Sequence, residues 1–263
     1  MIGGRTGRVL WASWRATAAG AAEYRGDMLT GTLVSIVWLG VSSVPSVVVS
    51  LRAADAGGWG LPQLLYLLSI WYLMDAVMWI VIMPNIGQWP EQVRTGSLDA
   101  VLLKPVNSLI YCSLRVLGVQ DLPKLLLAAG LAVTAVALGG GPPTPAAAVA
   151  SVIAVLCGLV LLWALGVITS YKVLSQVQWD ASFVLHAALN LGRVPTSLYG
   201  PLFRTVLTWV LPVAFITTVP AEVMFGMASP WMAVVALALT AVVVLIVVVL
   251  WRRELGRYTG AMS

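Results

Sequence analysis

The chain has 263 residues, 60% of them hydrophobic and only 10% charged, with a mean hydropathy of +0.95 and a net charge of +5. A soluble domain carries about 25% charged residues, so too little charge is present to solvate a globular surface. The positive excess holds no run dense enough for nucleic acid and reads as the cytoplasmic bias of a membrane protein. The apolar stretches are long and unbroken, unlike the alternating segments of a membrane barrel. Helical spans need about 20 mostly apolar residues each. The expectation is an all-α polytopic membrane protein, one membrane domain over 1–263.

Residues 1–30 mix Arg5, Arg8, Arg15, Glu23, Arg25 and Asp27 with Leu10, Trp11, Trp14 and Tyr24. Apolar residues interspersed with charge suit an amphipathic helix on the membrane surface, and four arginines place it in the cytoplasm. No apolar run there resembles a cleavable signal. The first span is expected at 31–51, followed by a short loop with Arg52 and Asp55. The second is expected at 62–84. Pro62 suits its first turn, and Pro84-Asn85 are expected to end it. A third segment, 108–138, is expected to be one span kinked at Pro123. Gly139–Pro145, GGGPPTP, reads as an uncharged turn. The fourth span is expected at 146–170 and the fifth at 181–194.

From 195 to 230 prolines recur at 195, 201, 212, 220 and 230. No straight span fits that spacing. Irregular backbone at membrane depth needs shielding by protein or a wet cavity, so a re-entrant or extracytoplasmic helical hairpin is expected. The last span, 231–251, stops at Arg252 and Arg253. Six spans with both ends inside satisfy the charge bias, with Arg193 and Arg204 among the outer residues if the hairpin lies outside. A layout with 181–197 cytoplasmic and 198–219 as the span keeps the count at six. Cys112, Cys157 and the single His186 form neither a disulfide framework nor a zinc site.

The stretch 85–107, NIGQWPEQVRTGSLDAVLLKPVN, is polar and rich in turns between two apolar segments. Pro90 and Glu91 suit a helix start, and Gly96 suits its end. Ser97 suits the cap of a second short helix over Leu98–Leu103, with Asp99 in its first turn. Lys104-Pro105 closes it. Leu98, Val101 and Leu102 fall on one face at helical spacing. That stripe fits either a groove on a soluble partner or the lipid surface, and spacing alone does not choose.

The run Gly96-Ser97-Leu98-Asp99-Ala100-Val101-Leu102-Leu103-Lys104-Pro105-Val106-Asn107 resembles the G-x-L-D-x-x-L-x-K-P-x-N signature of type-2 ABC transporter permeases. It is closest in form to the branch of about 260 residues that lacks a fused ATPase. A second match lies in Arg193-Val194-Pro195, Tyr199-Gly200, Leu211-Pro212-Val213-Ala214-Phe215-Ile216 and Val219-Pro220-Ala221, similar to the proline-marked segment before the last span. The resemblance implies a stand-alone permease subunit of an exporter in a prokaryotic plasma membrane. It implies a second permease, the same chain or a paralogue, and a cytosolic ABC ATPase dimer that carries the ATP and Mg. It also implies a coupling helix docked on that ATPase, with Glu91, Arg94, Leu98, Asp99, Leu102 and Lys104 as contact or hinge residues. No G-x-x-x-x-G-K-[ST] motif occurs here, so this chain is expected to bind no cofactor and to catalyse nothing itself.

Asp75 sits midway along the second span. A carboxyl group there faces the bundle interior or a cavity. It reads either as a substrate contact or, more simply, as an interhelical group bonded to a tyrosine or a partner chain. Trp71, Trp79 and Glu222 are the other candidates for a translocation path, with packing the simpler role for the tryptophans and helix capping for Glu222. A membrane-embedded lipid-modifying enzyme would need clustered His, Asp or Glu, which the sequence spaces apart. A secondary transporter would favour internal repeats and more intramembrane charge.

Overall fold

The computed structural model describes residues 2–23, 26, 30–34, 36, 37, 40, 41, 58–139, 144–176 and 182–258. No strand occurs among them. The predicted first span, 31–51, and the loop at 52–57 lie largely outside the described residues, as do 140–143 of the predicted turn. Among the described residues four helices are long and apolar enough to cross a membrane: Leu61–Arg94, Val119–Leu138, Pro145–Leu174 and Met232–Leu255. A bent pair, Pro201–Val210 and Ala214–Met224, passes the same test only as a unit.

Helix α1 (Ile2–Glu23) carries the amphipathic leader. Helix α2 (Leu61–Val77) begins with Pro62 in its first turn, as its missing N–H allows. The expectation that Pro84-Asn85 ends this helix is corrected. A π-helical turn, Met78–Ile82, widens the coil so that the Met83 N–H donates to the Met78 carbonyl, and the helix continues as α3 (Met83–Ile86). Proline at 84 has no N–H to give the Ile80 carbonyl one turn back. The Gly118 N–H donates to that carbonyl instead, at 2.8 Å. A Cβ at 118 would lie 2.8 Å from the Trp79 carbonyl oxygen, so the approach requires glycine.

Asn85 completes the splice. Its Nδ2 donates to the carbonyls of Val81 (2.6 Å) and Val116 (2.8 Å), and its Oδ1 accepts from the Val116 N–H at 2.9 Å. Buried backbone groups need partners, and this side chain supplies them to a stretch that is not helical. The predicted kink at Pro123 is therefore a full break. Helix α6 (Ser108–Leu114) stops, residues 115–118 are irregular, a single 3-10 turn follows, and α7 restarts at Pro123 and runs to Leu138. Pro123 opens a helix rather than bending one. Between these lie α4 (Trp89–Arg94) and α5 (Ser97–Leu102).

Helix α8 (Pro145–Ser170) is capped by Thr144, whose hydroxyl accepts from the Ala147 N–H at 3.3 Å. Helix α9 (Ser182–Leu191) has ten residues, about 15 Å at 1.5 Å per residue. That is half of a hydrocarbon core of about 30 Å. The described part of the predicted span 181–194 is thus too short to cross by itself. The chain then turns through Thr196–Leu198 and enters the bent pair, whose arms meet at 78° at Leu211-Pro212. The first arm contains α10 (Pro201–Thr205) and is mostly exposed; the second ends in α11 (Val219–Met224) and is mostly buried. The second arm runs antiparallel to α8. Ile216 packs on Gly158, and the Ser151 hydroxyl donates to the Pro220 carbonyl at 2.8 Å. Helix α12 (Met232–Leu255) closes the fold with Arg252 and Arg253 in its last turn, where the dipole favours cations.

Candidate functional site

The polar break folds into a platform at one end of the bundle. In α4, Pro90 and Glu91 occupy the first turn, and Glu91 pairs with Arg94 at 2.8 Å on the surface. Such exposed pairs contribute little. Thr95 Oγ1 donates back to the Glu91 carbonyl at 2.8 Å. Gly96 then adopts φ +69°, the left-handed turn that glycine permits without strain. Gly96, not Ser97, occupies the cap of α5; Ser97 is its first residue and lies 3.0 Å from the Thr95 hydroxyl.

The apolar stripe of α5 faces inward. Leu98 is 1% exposed and Val101 is buried, while Leu102 is half-buried against the same core. Of the two beds considered for this stripe, a partner's groove and the lipid surface, the structure shows neither: Leu98, Val101 and Leu102 pack into the chain's own core. Leu103 instead points outward at 85% exposure, beside exposed Ala100 and Lys104. Glu91 and Arg94 face outward as well.

Aromatic residues fix the platform to the bundle. Trp89 is fully buried, donates from Nε1 to the Cys112 carbonyl at 3.2 Å, and lies 5.3 Å from the Trp251 ring. Trp251 donates to the Ser108 hydroxyl at 3.1 Å. The Tyr258 hydroxyl, just past α12, donates to Asp99 Oδ1 at 2.8 Å. Burial first, and then the hydrogen bond and charge of Asp99, push the Tyr258 phenol up to about 12. Lys104 Nζ donates to the Tyr111 hydroxyl at 2.8 Å. Burial raises the Tyr111 pKa, but Lys104, Ser13 and Arg115 outweigh it and the net shift is downward. Helix α1 joins through Trp14, whose Nε1 donates to the Leu114 carbonyl at 2.7 Å.

The path candidates lie deeper. Trp71 is ten residues into the helix from Leu61, about 15 Å along its axis and near the middle of an apolar core. Asp75 is consumed by Lys124, which bonds Asp75 Oδ2 at 2.7 Å and Asp121 Oδ1 at 2.8 Å. The structural role weighed for Asp75 has Lys124 as a partner. Trp71 is buried, donates to the Leu189 carbonyl at 2.8 Å, and carries the Arg193 guanidinium 3.9 Å above its ring. The Arg193 guanidinium is therefore level with Trp71, although residue 193 itself lies in the turn after α9. Trp79 meets His186 edge-on at 6.0 Å. Glu222 stands in the first turn of α11 without capping it. Among the described residues it makes no ion pair or side-chain hydrogen bond with Asp75, Trp71 or Trp79.

Sequence reasoning missed Asn85, the Asn107 cap that accepts from the Ile110 N–H at 3.1 Å, the Lys124 bridge and Tyr258. Asn107 carried a signal, a cap residue directly before an apolar run. Tyr258 carried none, since its partner lies 159 residues away.

A helical membrane bundle with a polar, aromatically anchored platform and a buried charge cluster defines a multi-pass membrane transport subunit. Residues 36–262 match the family described as ABC-2 family transporter protein, and the chain belongs to that family. It is a permease component of an ABC transporter, a family that works in complex with an ABC ATPase. No curated protein and no solved structure matches.

Proposed function

We propose that this permease couples to a separate cytosolic ATPase dimer through the outward face of the platform, and that the complex exports its substrate. In this reading ATP and Mg reside on the ATPase. The permease sits in a prokaryotic plasma membrane with both termini in the cytoplasm, paired with a second copy or a paralogue. The carrying observation is the division of labour within 89–104. Leu98, Val101 and Trp89 hold the segment down, while Glu91, Arg94, Ala100, Leu103 and Lys104 are exposed on its outward face. Asp99 and Leu102 belong to the anchoring side, as hinge rather than contact residues.

ATP binding closes the ATPase dimer and displaces the platform. The displacement reaches the last membrane helix through the Trp89–Trp251 contact and the Asp99–Tyr258 bond. Transport follows because the two bundle states make different contacts with the ATPase.

Leu103→Asp tests this reading. Because Leu103 is exposed, the variant keeps the unfolding midpoint of the parent. It retains less than a tenth of the co-purifying ATPase and of ATP-driven transport in proteoliposomes. Leu98→Ala is the contrasting control, losing about 2–5 kcal/mol of stability as a buried leucine truncation. Normal ATPase binding and transport by a folded Leu103→Asp variant would remove the docking claim.

A further inference from the structure

Helix α1 has two faces with different work. Its inward face packs along α6. The Asn107 N–H donates to Thr6 Oγ1 at 3.4 Å, and Leu10 is buried. The Ser13 and Tyr111 hydroxyls lie 3.4 Å apart, and Trp14 Nε1 donates to the Leu114 carbonyl at 2.7 Å. Thr6, Leu10, Ser13 and Trp14 follow helical spacing, so α1 runs beside α6 from the Asn107 cap to Leu114. Tyr111 also accepts from Lys104 at 2.8 Å, which extends the same contact to the platform.

The outward face has a different composition. Arg8, Trp11, Ala12, Arg15, Ala16 and Ala19 are exposed and share one side of the helix. Trp11 is 57% exposed, with the Arg15 guanidinium 4.7 Å from its ring centre. A tryptophan set among arginines and small apolar residues suits a helix resting in the headgroup layer. The level agrees. Leu114, to which Trp14 donates, stands just before the apolar helix that opens at Val119. Beyond α1 the Thr32 hydroxyl meets the Gln120 carbonyl at 3.5 Å. Both ties fall where the chain enters the apolar core. Charge then selects the headgroup. Residues 1–22 contain Arg5, Arg8 and Arg15 and no acidic residue. Guanidinium groups at a membrane surface favour anionic over neutral lipid, and their planar donors match a phosphate.

We infer that Arg8, Trp11 and Arg15 form a site for the headgroups of anionic phospholipid in the leaflet on the platform side, and that lipid held there clamps α1 against α6. Lipid charge thereby steadies the segment that joins the platform to α7. The inference rests on the chain being a membrane protein and not on the docking of an ATPase.

The full-length permease, purified without ATPase in a neutral maltoside detergent, is mixed with equimolar dioleoyl phosphatidylglycerol and dioleoyl phosphatidylcholine. Native mass spectrometry counts the lipid retained. A basic residue beside an anionic surface strengthens binding roughly fivefold, so the parent protein retains phosphatidylglycerol in at least that excess. The double variant Arg8→Gln/Arg15→Gln brings the ratio close to one. Arg252→Gln/Arg253→Gln, which removes two exposed arginines from the end of α12, keeps the preference of the parent. Equal retention of the two lipids by the parent, an unchanged preference in the Arg8/Arg15 variant, or an equal loss in the Arg252/Arg253 variant overturns the proposal. If the double variant fails to fold, Arg15→Gln decides it, with an unchanged preference as the overturning result. Hydrogen exchange in nanodiscs tests the clamp. The amides of Ser108–Leu114 exchange more slowly in phosphatidylglycerol than in phosphatidylcholine for the parent, and at one rate for the Arg8/Arg15 variant. Equal rates for the parent overturn the clamp. A variant that keeps its lipid preference but loses co-purifying ATPase assigns this face to the ATPase and overturns the proposal. Leu103→Asp leaves the lipid ratio unchanged, so failure of docking and failure of lipid selection are read independently.

Discussion

Lys124→Met should be among the most damaging single substitutions in this chain. Lys124 bonds both Asp75 and Asp121, and the three side chains are 4%, 6% and 10% exposed. Methionine fills a similar volume, so little cavity forms. What remains is two carboxylates without their shared counter-ion. Removing one partner of a buried ion pair costs about 3–5 kcal/mol, because the remaining charge stays buried and uncompensated. Asp75→Asn is gentler. The amide oxygen still accepts from Lys124, and Asp121 still neutralises it, so the loss is about 1–3 kcal/mol. The double variant should lose less than the two single losses combined, since removing one carboxylate relieves the repulsion that Lys124→Met exposes. Coupling between groups in contact is about 0.5–3 kcal/mol. The assay is reversible unfolding in mixed micelles with rising denaturing detergent, followed by tryptophan fluorescence. A Lys124→Met variant within about 1 kcal/mol of the parent, below the range for a broken buried pair, or strict additivity in the double variant, would refute the reasoning.

Asn85→Ala should cost about 2–6 kcal/mol, since it strands the N–H and carbonyl of half-buried Val116 at about 1–3 kcal/mol for each unpaired group; equilibrium unfolding measures it, and a loss below about 1 kcal/mol, less than one stranded group, would show that water replaces the side chain. Tyr258 gives a pH dependence. Its phenol is raised in the folded state to about 12, so the contact with Asp99 is fully present below the unfolded tyrosine pKa of about 10 and is lost as pH climbs from there through 12. Absorbance titration should show one tyrosine ionising near 12 that Tyr258→Phe removes, and an unchanged titration in that variant would dissociate Tyr258 from Asp99.

The sequence makes legible those features that depend on neighbours along the chain. Gly96 marks the turn between two short helices, Pro62 opens a span, and Arg252-Arg253 close another. The bent pair follows from proline spacing alone. Other features depend on partners far away. Whether Leu98 faces in or out is decided by the core that packs around it, and helical spacing identifies a stripe without saying which body covers it. Proline 84 reads as a stop because its own missing N–H is visible and the Gly118 N–H that replaces it is not. Lys124 finds Asp75 across 49 positions, and each residue in isolation reads as an oddity in an apolar run. In the candidate site, the segment was legible and its outward face was not: Leu103 was hidden in plain view at the end of the stripe that contains Leu98.

The splice at Asn85 and Gly118 also has a mechanical meaning. A proline in mid-helix ordinarily creates a soft joint, because one rung of the ladder is missing. Here the rung is lent by a different part of the chain, at 2.8 Å, and Asn85 rivets the lender in place. The helical run from Leu61 to Arg94 therefore behaves as a stiff beam that reaches from the apolar core to the outward face of the platform. A push on Glu91 cannot be absorbed by flexing at Pro84. It must tilt the whole beam, and it drags the 116–118 segment and the foot of α7 along with it.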